Sequence, residues 1–267
     1  MKKFVYFAGM IFPAVLLTFT TVHAETAAKN DAKVKVLIID DESKDFYRFE
    51  GTAPLLQKTL NNSGNVQTDM EKNAEVLASE KIFTYDVLLL HFKNYKPLKA
   101  QKQAQENLVR FVKEGGGLFI FHFACGAFED WAEFEKLIGR VWEPDIKKCP
   151  EGSFHDRYGK FTVRIVNKEH PLAKDLTDFE TQDELYHCFK PGSVPMTVLA
   201  EATSNQDGKS YPMAFVLQYG KGRVFHTTLG HNAASVSPEG FVKLLIHAVL
   251  WLGKRSLLPD VCPIQEK

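Results

Sequence analysis

Three histidines stand where apolar runs stop. His91 ends the run from Tyr85 to Leu90, and His122 ends Leu118 to Phe121, which the triple glycine Gly115-Gly116-Gly117 leads into. His231 follows the segment Arg223 to Thr228 through Gly230. Imidazole titrates near neutrality and is the commonest metal ligand, so such residues can move protons or hold a cation. The segment Asp183 to Phe189 reads DELYHCF and adds two carboxylates, with His155 further upstream. A carboxylate plus two or three histidines is a donor set for a divalent metal, and equally a set for general acid–base work. The plainer readings are a solvated acidic turn for Asp183-Glu184 and strand-capping histidines; the latter is adopted for His91. Backbone form is open over DELYHCF, because a strand or a helical turn fits it, the turn placing Asp183 and His187 on one face.

Cys125 lies just after the run that His122 ends, on the small-residue corner Ala124 to Ala127. That is the place of a nucleophile elbow. The local order His122-Phe123-Ala124-Cys125-Gly126 is not an elbow pattern, and an exposed low-pKa thiol is prone to oxidation. The structural reading therefore ranks above cysteine-dependent hydrolysis, which stays as an alternative. The triple glycine precedes a strand and opens no helix, so it reads as a tight turn and not as a phosphate loop.

Positioning such residues takes strands that end on one edge. Val34–Ile39, Val66–Met70, Tyr85–Leu90 and Leu118–Phe121 read as strands, the continuous apolar runs as buried parallel ones. Between them, 54–62 and 98–113 read as helices, the second with Leu108, Phe111 and Val112 inward, and Trp131, Phe134, Leu137 and Ile138 mark an amphipathic segment. This alternation predicts an α/β fold, a three-layer sandwich with a mostly parallel sheet, in which ligands bind at the carboxyl ends of the strands. The second half is richer in strands: Phe161–Val166, Thr197–Ala202, Met213–Gln218 and Arg223–Thr228, with a turn at Asn205–Lys209. A last helix runs from Pro238 to Leu252, with Ser237 as its cap, Pro238 in its first turn, and Phe241, Leu244, Leu245, Ala248 and Leu252 as its inner stripe.

The first 24 residues read as a signal peptide: Lys2-Lys3, an apolar core without acids, and the exit Val22-His23-Ala24. Residues 25–33 are a polar lead-in, 34–255 one domain, and 256–267 a tail. A periplasmic or secreted location follows, with no stable membrane anchor after cleavage. Removing Lys2 and Lys3 leaves 31 basic against 33 acidic residues, a net charge of −2. No nucleic-acid partner is expected without a basic excess; a small neutral molecule is. Cys125, Cys149, Cys188 and Cys262 fit no zinc ribbon, and separate buried thiols are at least as good a reading as one disulfide.

Gly115-Gly116-Gly117-Leu118 with His122-x-Ala124, then Trp131-x-Glu133-Phe134-x-x-Leu137-x-Gly139, resembles the ThuA-like (trehalose utilisation) family. His170-Pro171-Leu172, Asp183 to Tyr186, and Gly220-Lys221-Gly222-Arg223-Val224 leading to Leu229-Gly230-His231 continue the resemblance in order, from about Val34 to Gly253. It implies a flavodoxin-like fold of the class I glutamine amidotransferase-like superfamily. It places His122, Glu184 and His231 as catalytic candidates, and His155 as a metal-ligand candidate together with His122 and His231. Tyr186, Trp131 and Arg48 stand as substrate contacts, with Trp142 a further aromatic platform; these aromatics can equally be core. The loop 41–50 lacks the histidine that many relatives carry there, so a metal site built on it is not available, and Arg48 or Asp45 takes over as substrate contact. The implied function is action on oxidised (keto) glucosides or disaccharides by acid–base or metal-assisted chemistry; the alternative is a non-catalytic carbohydrate-binding module.

Overall fold

The computed structural model describes residues 32–40 and 51–255. The segments read as signal peptide and tail, together with Arg48, Asp45 and Cys262, lie outside the described residues. Lys33–Lys267 separates as one compact unit from Met1–Ala32, and every element below belongs to it.

Thirteen strands are described: β1 (Val34–Asp40), β2 (Val66–Glu71), β3 (Val87–His91), β4 (Gly117–Phe121), β5 (Arg140–Val141), β6 (Phe154–His155), β7 (Gly159–Ile165), β8 (Phe179–Asp183), β9 (Tyr186–His187), β10 (Lys190–Pro191), β11 (Thr197–Thr203), β12 (Ser210–Tyr219) and β13 (Gly222–Thr227). Helices are α1 (Thr52–Asn62), α2 (Gln101–Glu114), α3 (Ala132–Ile138), α4 (Ala233–Val236) and α5 (Glu239–Leu252). Nine strands form one sheet in the order β2-β1-β3-β4-β13-β12-β11-β7-β8. It is parallel from β2 to β13 and antiparallel from β13 to β8. The runs β3 and β4 are buried at every position, as strands covered on both faces must be.

Side-chain alternation sorts each central strand into two cores. Val34, Val36 and Ile38 of β1, with Phe119, Phe121 and Phe225, pack under α1 and α5 through Leu56, Leu60, Phe241, Leu244 and Ala248. Leu37 and Ile39, with Leu118, Ile120 and Val224, pack on the other face under α2 and α3 through Leu108, Phe111, Phe134 and Leu137. The result is the three-layer sandwich. Register then aligns the ends that matter. Asp40 lies opposite His91, and Thr227 opposite Phe121. The residues after β3, β4 and β13 therefore leave the sheet at one edge.

Two local expectations are corrected. Ser237 does not cap α5. Its hydroxyl donates to the Ala233 carbonyl at 2.6 Å, because the short α4 runs up to it, and Pro238 takes the N-cap position. The helix expected from Leu98 begins at Gln101. The Leu98 amide donates to Gln101 Oε1 at 3.1 Å, and those of Lys99 and Ala100 to the Glu75 carboxylate at 2.6 and 3.3 Å, so side chains satisfy donors that a helix start leaves open.

Candidate active site

DELYHCF is neither one strand nor a helical turn. β8 stops at Asp183, Glu184 and Leu185 step out of the sheet, and β9 resumes at Tyr186. β9 pairs with β6, His155 opposite Tyr186 and Phe154 opposite His187. Strand alternation thus sends His155 and Tyr186 to one side and Phe154 and His187 to the other.

His122, Glu184 and His231 meet on the first side. Each offers a donor atom, and the three atoms lie within 4.8 Å of one another. His122 adopts φ 48°, a left-handed conformation that costs a non-glycine residue energy and is concentrated at functional sites. Its Nδ1 donates to the Thr228 carbonyl at 2.6 Å, since a carbonyl can only accept. That fixes the lone pair on Nε2, where the Tyr186 hydroxyl stands 3.2 Å away. Burial pushes the His122 pKa down to about 3, so its ring is neutral.

Glu184 Oε2 and His231 Nδ1 are 3.2 Å apart. The distance is that of an ion pair, but the two are poorly aligned for a hydrogen bond, and both atoms are buried without a hydrogen-bonding partner. The Glu184 carboxylate, against the opposing effect of burial, holds His231 above the usual imidazole range. Burial by itself raises Glu184, yet His231 and the neighbouring His155 and His122 bring its carboxyl below the ordinary range. Two groups with proton affinities pushed apart sit side by side, which is the condition for an acid and a base in one site. His155 joins at the margin: its Nδ1 donates to the Asp156 carbonyl at 2.8 Å and lies 3.8 Å from Glu184 Oε1.

Asp183 builds this geometry, a role its sequence position does not reveal. Its fully buried carboxylate accepts from the backbone amides of Glu184 at 2.8 Å, Gly230 at 2.7 Å and His231 at 3.1 Å. It ties the end of β8 to the loop after β13, and so sets Glu184 against His231. Burial lifts its pKa to about 6 against these donors. Gly230 has φ 133°, and a Cβ there would stand 2.2 Å from the Phe121 ring, so the loop can turn at this point only with glycine.

Aromatic side chains wall the site. The half-buried Trp142 lies 5.0 Å from Tyr186 and 6.1 Å from His155 between ring centroids, with Phe123 behind it at 5.6 Å. Tyr158 faces His231 at 5.4 Å and donates to Asn232 at 3.1 Å. Trp131 is not part of this cluster. It stacks on Phe134 at 5.8 Å and lines a neighbouring cleft of about 110 Å³ with Cys125, Trp142 and Lys148. His91 is bonded to Asp40 at 3.0 Å and stacked on Phe121 at 5.0 Å.

Among the described residues Cys125, Cys149 and Cys188 are free thiols. Cys125 is fully buried, and burial pushes its thiol well above the ordinary range, the reverse of an activated nucleophile. Cys125→Ser is expected to keep most turnover while lowering stability by about 1–3 kcal/mol, the effect of a buried hydroxyl. Turnover and urea unfolding of the variant check this; inactivity in a folded variant would make Cys125 the nucleophile.

The comparisons with known proteins agree with this architecture. A ThuA-like protein from Parabacteroides merdae ATCC 43184 is 23% identical, with a TM-score of 0.74 over 85% of this chain and 92% of that one. A second, from Bacteroides uniformis ATCC 8492, is 20% identical, with a TM-score of 0.65 over 90% of this chain and 95% of that one. A β-galactosidase from Bacillus circulans sp. alkalophilus shares the fold over 85% of this chain but only 32% of its own, at 16% identity and a TM-score of 0.52. No curated protein sequence matches the chain. Residues 35–252 match the family model described as ThuA, trehalose utilisation. With the signature strand, corner and helix in their places, the chain belongs to the ThuA family, within the class I glutamine amidotransferase-like superfamily.

Proposed function

We propose that this chain is an exported enzyme acting on oxidised (keto) glucosides or disaccharides, with Glu184 and His231 as its acid–base pair. The observation that carries the reading is the buried Glu184–His231 contact beside a neutral His122, at the carboxyl edge of the sheet. A carbonyl acidifies the C–H beside it, so a modest base suffices. Glu184, held ionised, takes that proton. The electron pair moves toward the carbonyl, and the glycosidic oxygen one carbon further leaves with a proton from His231, held protonated. Tyr186, 3.2 Å from His122 Nε2, is the hydroxyl placed to bond a substrate oxygen. Trp142 and Tyr158 offer faces for the sugar ring.

The same donors fit a divalent cation. His122 Nε2 carries a lone pair because Nδ1 is committed to Thr228, and Glu184 Oε2 and His231 Nδ1 are buried atoms that lack hydrogen bonds. His122, Glu184 and His231 would hold it, with His155 at the margin. Such an ion would polarise a substrate carbonyl. Thr228 orients the His122 ring, the role that outer partners of metal-bound histidines play.

The test is turnover of keto-glucosides against their unoxidised parents. Selective turnover of the keto-sugar is expected. Binding without turnover would replace the enzyme by a carbohydrate-binding module. Export is tested separately: N-terminal sequencing of protein from the native host should begin near Glu25, and an intact Met1 on cytoplasmic protein would overturn it. No described helix is long and apolar enough to cross a membrane.

A further inference from the structure

On the other side of β9 from the Glu184 cluster stands a second set of reactive side chains. Asp156 is a buried carboxylate that accepts from Ser204 at 2.8 Å, from the Asn205 amide at 2.8 Å, and from His187 Nε2 at 3.1 Å. A carboxylate on Nε2 places the imidazole proton there and leaves the lone pair on Nδ1. That lone pair faces the Cys188 Sγ at 3.7 Å. His187 is itself buried, clamped between Phe154 at 3.7 Å and Tyr211 at 4.7 Å. Cys188 adopts φ 58°, and its half-buried thiol opens into a cleft of about 170 Å³ lined by Phe189, Tyr211, Phe215, Arg140 and Glu151. Below the cleft, His226 is fully buried with an unpartnered Nε2, its ring against Phe215 at 4.5 Å and Phe189 at 6.3 Å.

From this arrangement we propose that Cys188, His187 and Asp156 form a second reactive centre, which captures a small uncharged carbonyl compound as a thiol adduct. Thiol, imidazole and carboxylate stand in the order of a nucleophile, its base and the group that orients the base. As the S–C bond forms, the thiol proton passes to His187 Nδ1. The carbonyl π pair goes to its oxygen, which then takes that proton from His187; the product is a hemithioacetal, with no other reactant needed. The walls select an uncharged ligand. Four are aromatic, Tyr186 among them; Glu151 faces the thiol, and Asp207 holds the Tyr211 hydroxyl beside it. Burial first, and then these carboxylates, keep Cys188 above the ordinary thiol range, so the proton must leave during attack, as His187 allows. The Arg140 guanidinium bonds the Phe189 carbonyl at 3.4 Å.

Iodoacetamide and iodoacetate, which differ by one charge, report on both claims when labelled peptides are resolved by mass spectrometry. In the folded full-length chain, iodoacetamide should label Cys188 about tenfold faster than it labels the same residue in the urea-unfolded chain, less than the roughly 10²–10⁴-fold that a positioned base supplies because the folded thiol is half-buried. The iodoacetamide preference over iodoacetate should exceed that of the unfolded chain by about tenfold, and should shrink in Glu151→Gln. His187→Asn should remove the rate advantage. If that variant does not fold, the wild-type comparison and Glu151→Gln still decide. Labelling of folded Cys188 slower than in the unfolded chain, or an unchanged charge preference, overturns the proposal.

Discussion

Glu184→Gln is expected to lower kcat on a keto-glucoside by about 10²–10⁴-fold, the range that a positioned acid or base contributes. Glutamine keeps the volume and removes only the charge and the basic oxygen. His231→Ala should lose a similar factor. The pH profile separates this role from a packing role. His231 sits above its ordinary range because Glu184 faces it, so the alkaline limb of kcat/KM lies above the usual imidazole value. Without the carboxylate that support disappears. The residual activity of Glu184→Gln should therefore lose its alkaline limb at lower pH than wild type. Turnover that is equal in wild type, Glu184→Gln, His231→Ala and His122→Ala would remove the proposed chemistry. A loss of kcat with an unmoved alkaline limb would detach Glu184 from the titration of His231.

The largest stability change is expected at Asp183, a fully buried carboxylate at the end of β8. Asp183→Ala leaves three amides without an acceptor, the buried ones of Glu184 and Gly230 and the part-buried one of His231. Each orphaned buried donor costs about 1–3 kcal/mol, so a loss of about 3–5 kcal/mol is expected after local relaxation. Urea unfolding measures it, as a lower midpoint at an unchanged slope. The variant should also lose turnover at temperatures where it stays folded, because the loop carrying His231 is no longer tied to the residue before Glu184. A midpoint within about 0.5 kcal/mol of wild type, the range of ordinary surface substitutions, would show that water or a neighbouring group replaces the clamp.

Sequence by itself determined the frame. The apolar runs ending at His91 and His122 are long enough, and purely apolar enough, to be read as strands covered on both faces. The motifs from Gly115 to His231 identified the family. Both signals are local: burial of a whole run and the order of short motifs need no knowledge of what lies across the sheet. His122 and His231 could be placed on one edge for the same reason, since parallel strands share an end. What only the tertiary structure decided depends on contacts between distant segments. The sequence names Asp183 and Glu184 as adjacent acids, but not that one clamps three amides while the other faces His231 across 47 residues of chain. It offers Trp131 equally as a sugar platform or as core, while packing on Phe134 holds it in the cleft next to the His122 cluster. Nor does it show that a strand of two residues sends the Tyr186 hydroxyl to His122 and the His187 ring to Asp156. The physical reason is the same in each case. A side chain's chemistry is written in its type, but its pKa, tautomer and partner are set by burial and by neighbours that the chain brings in from elsewhere.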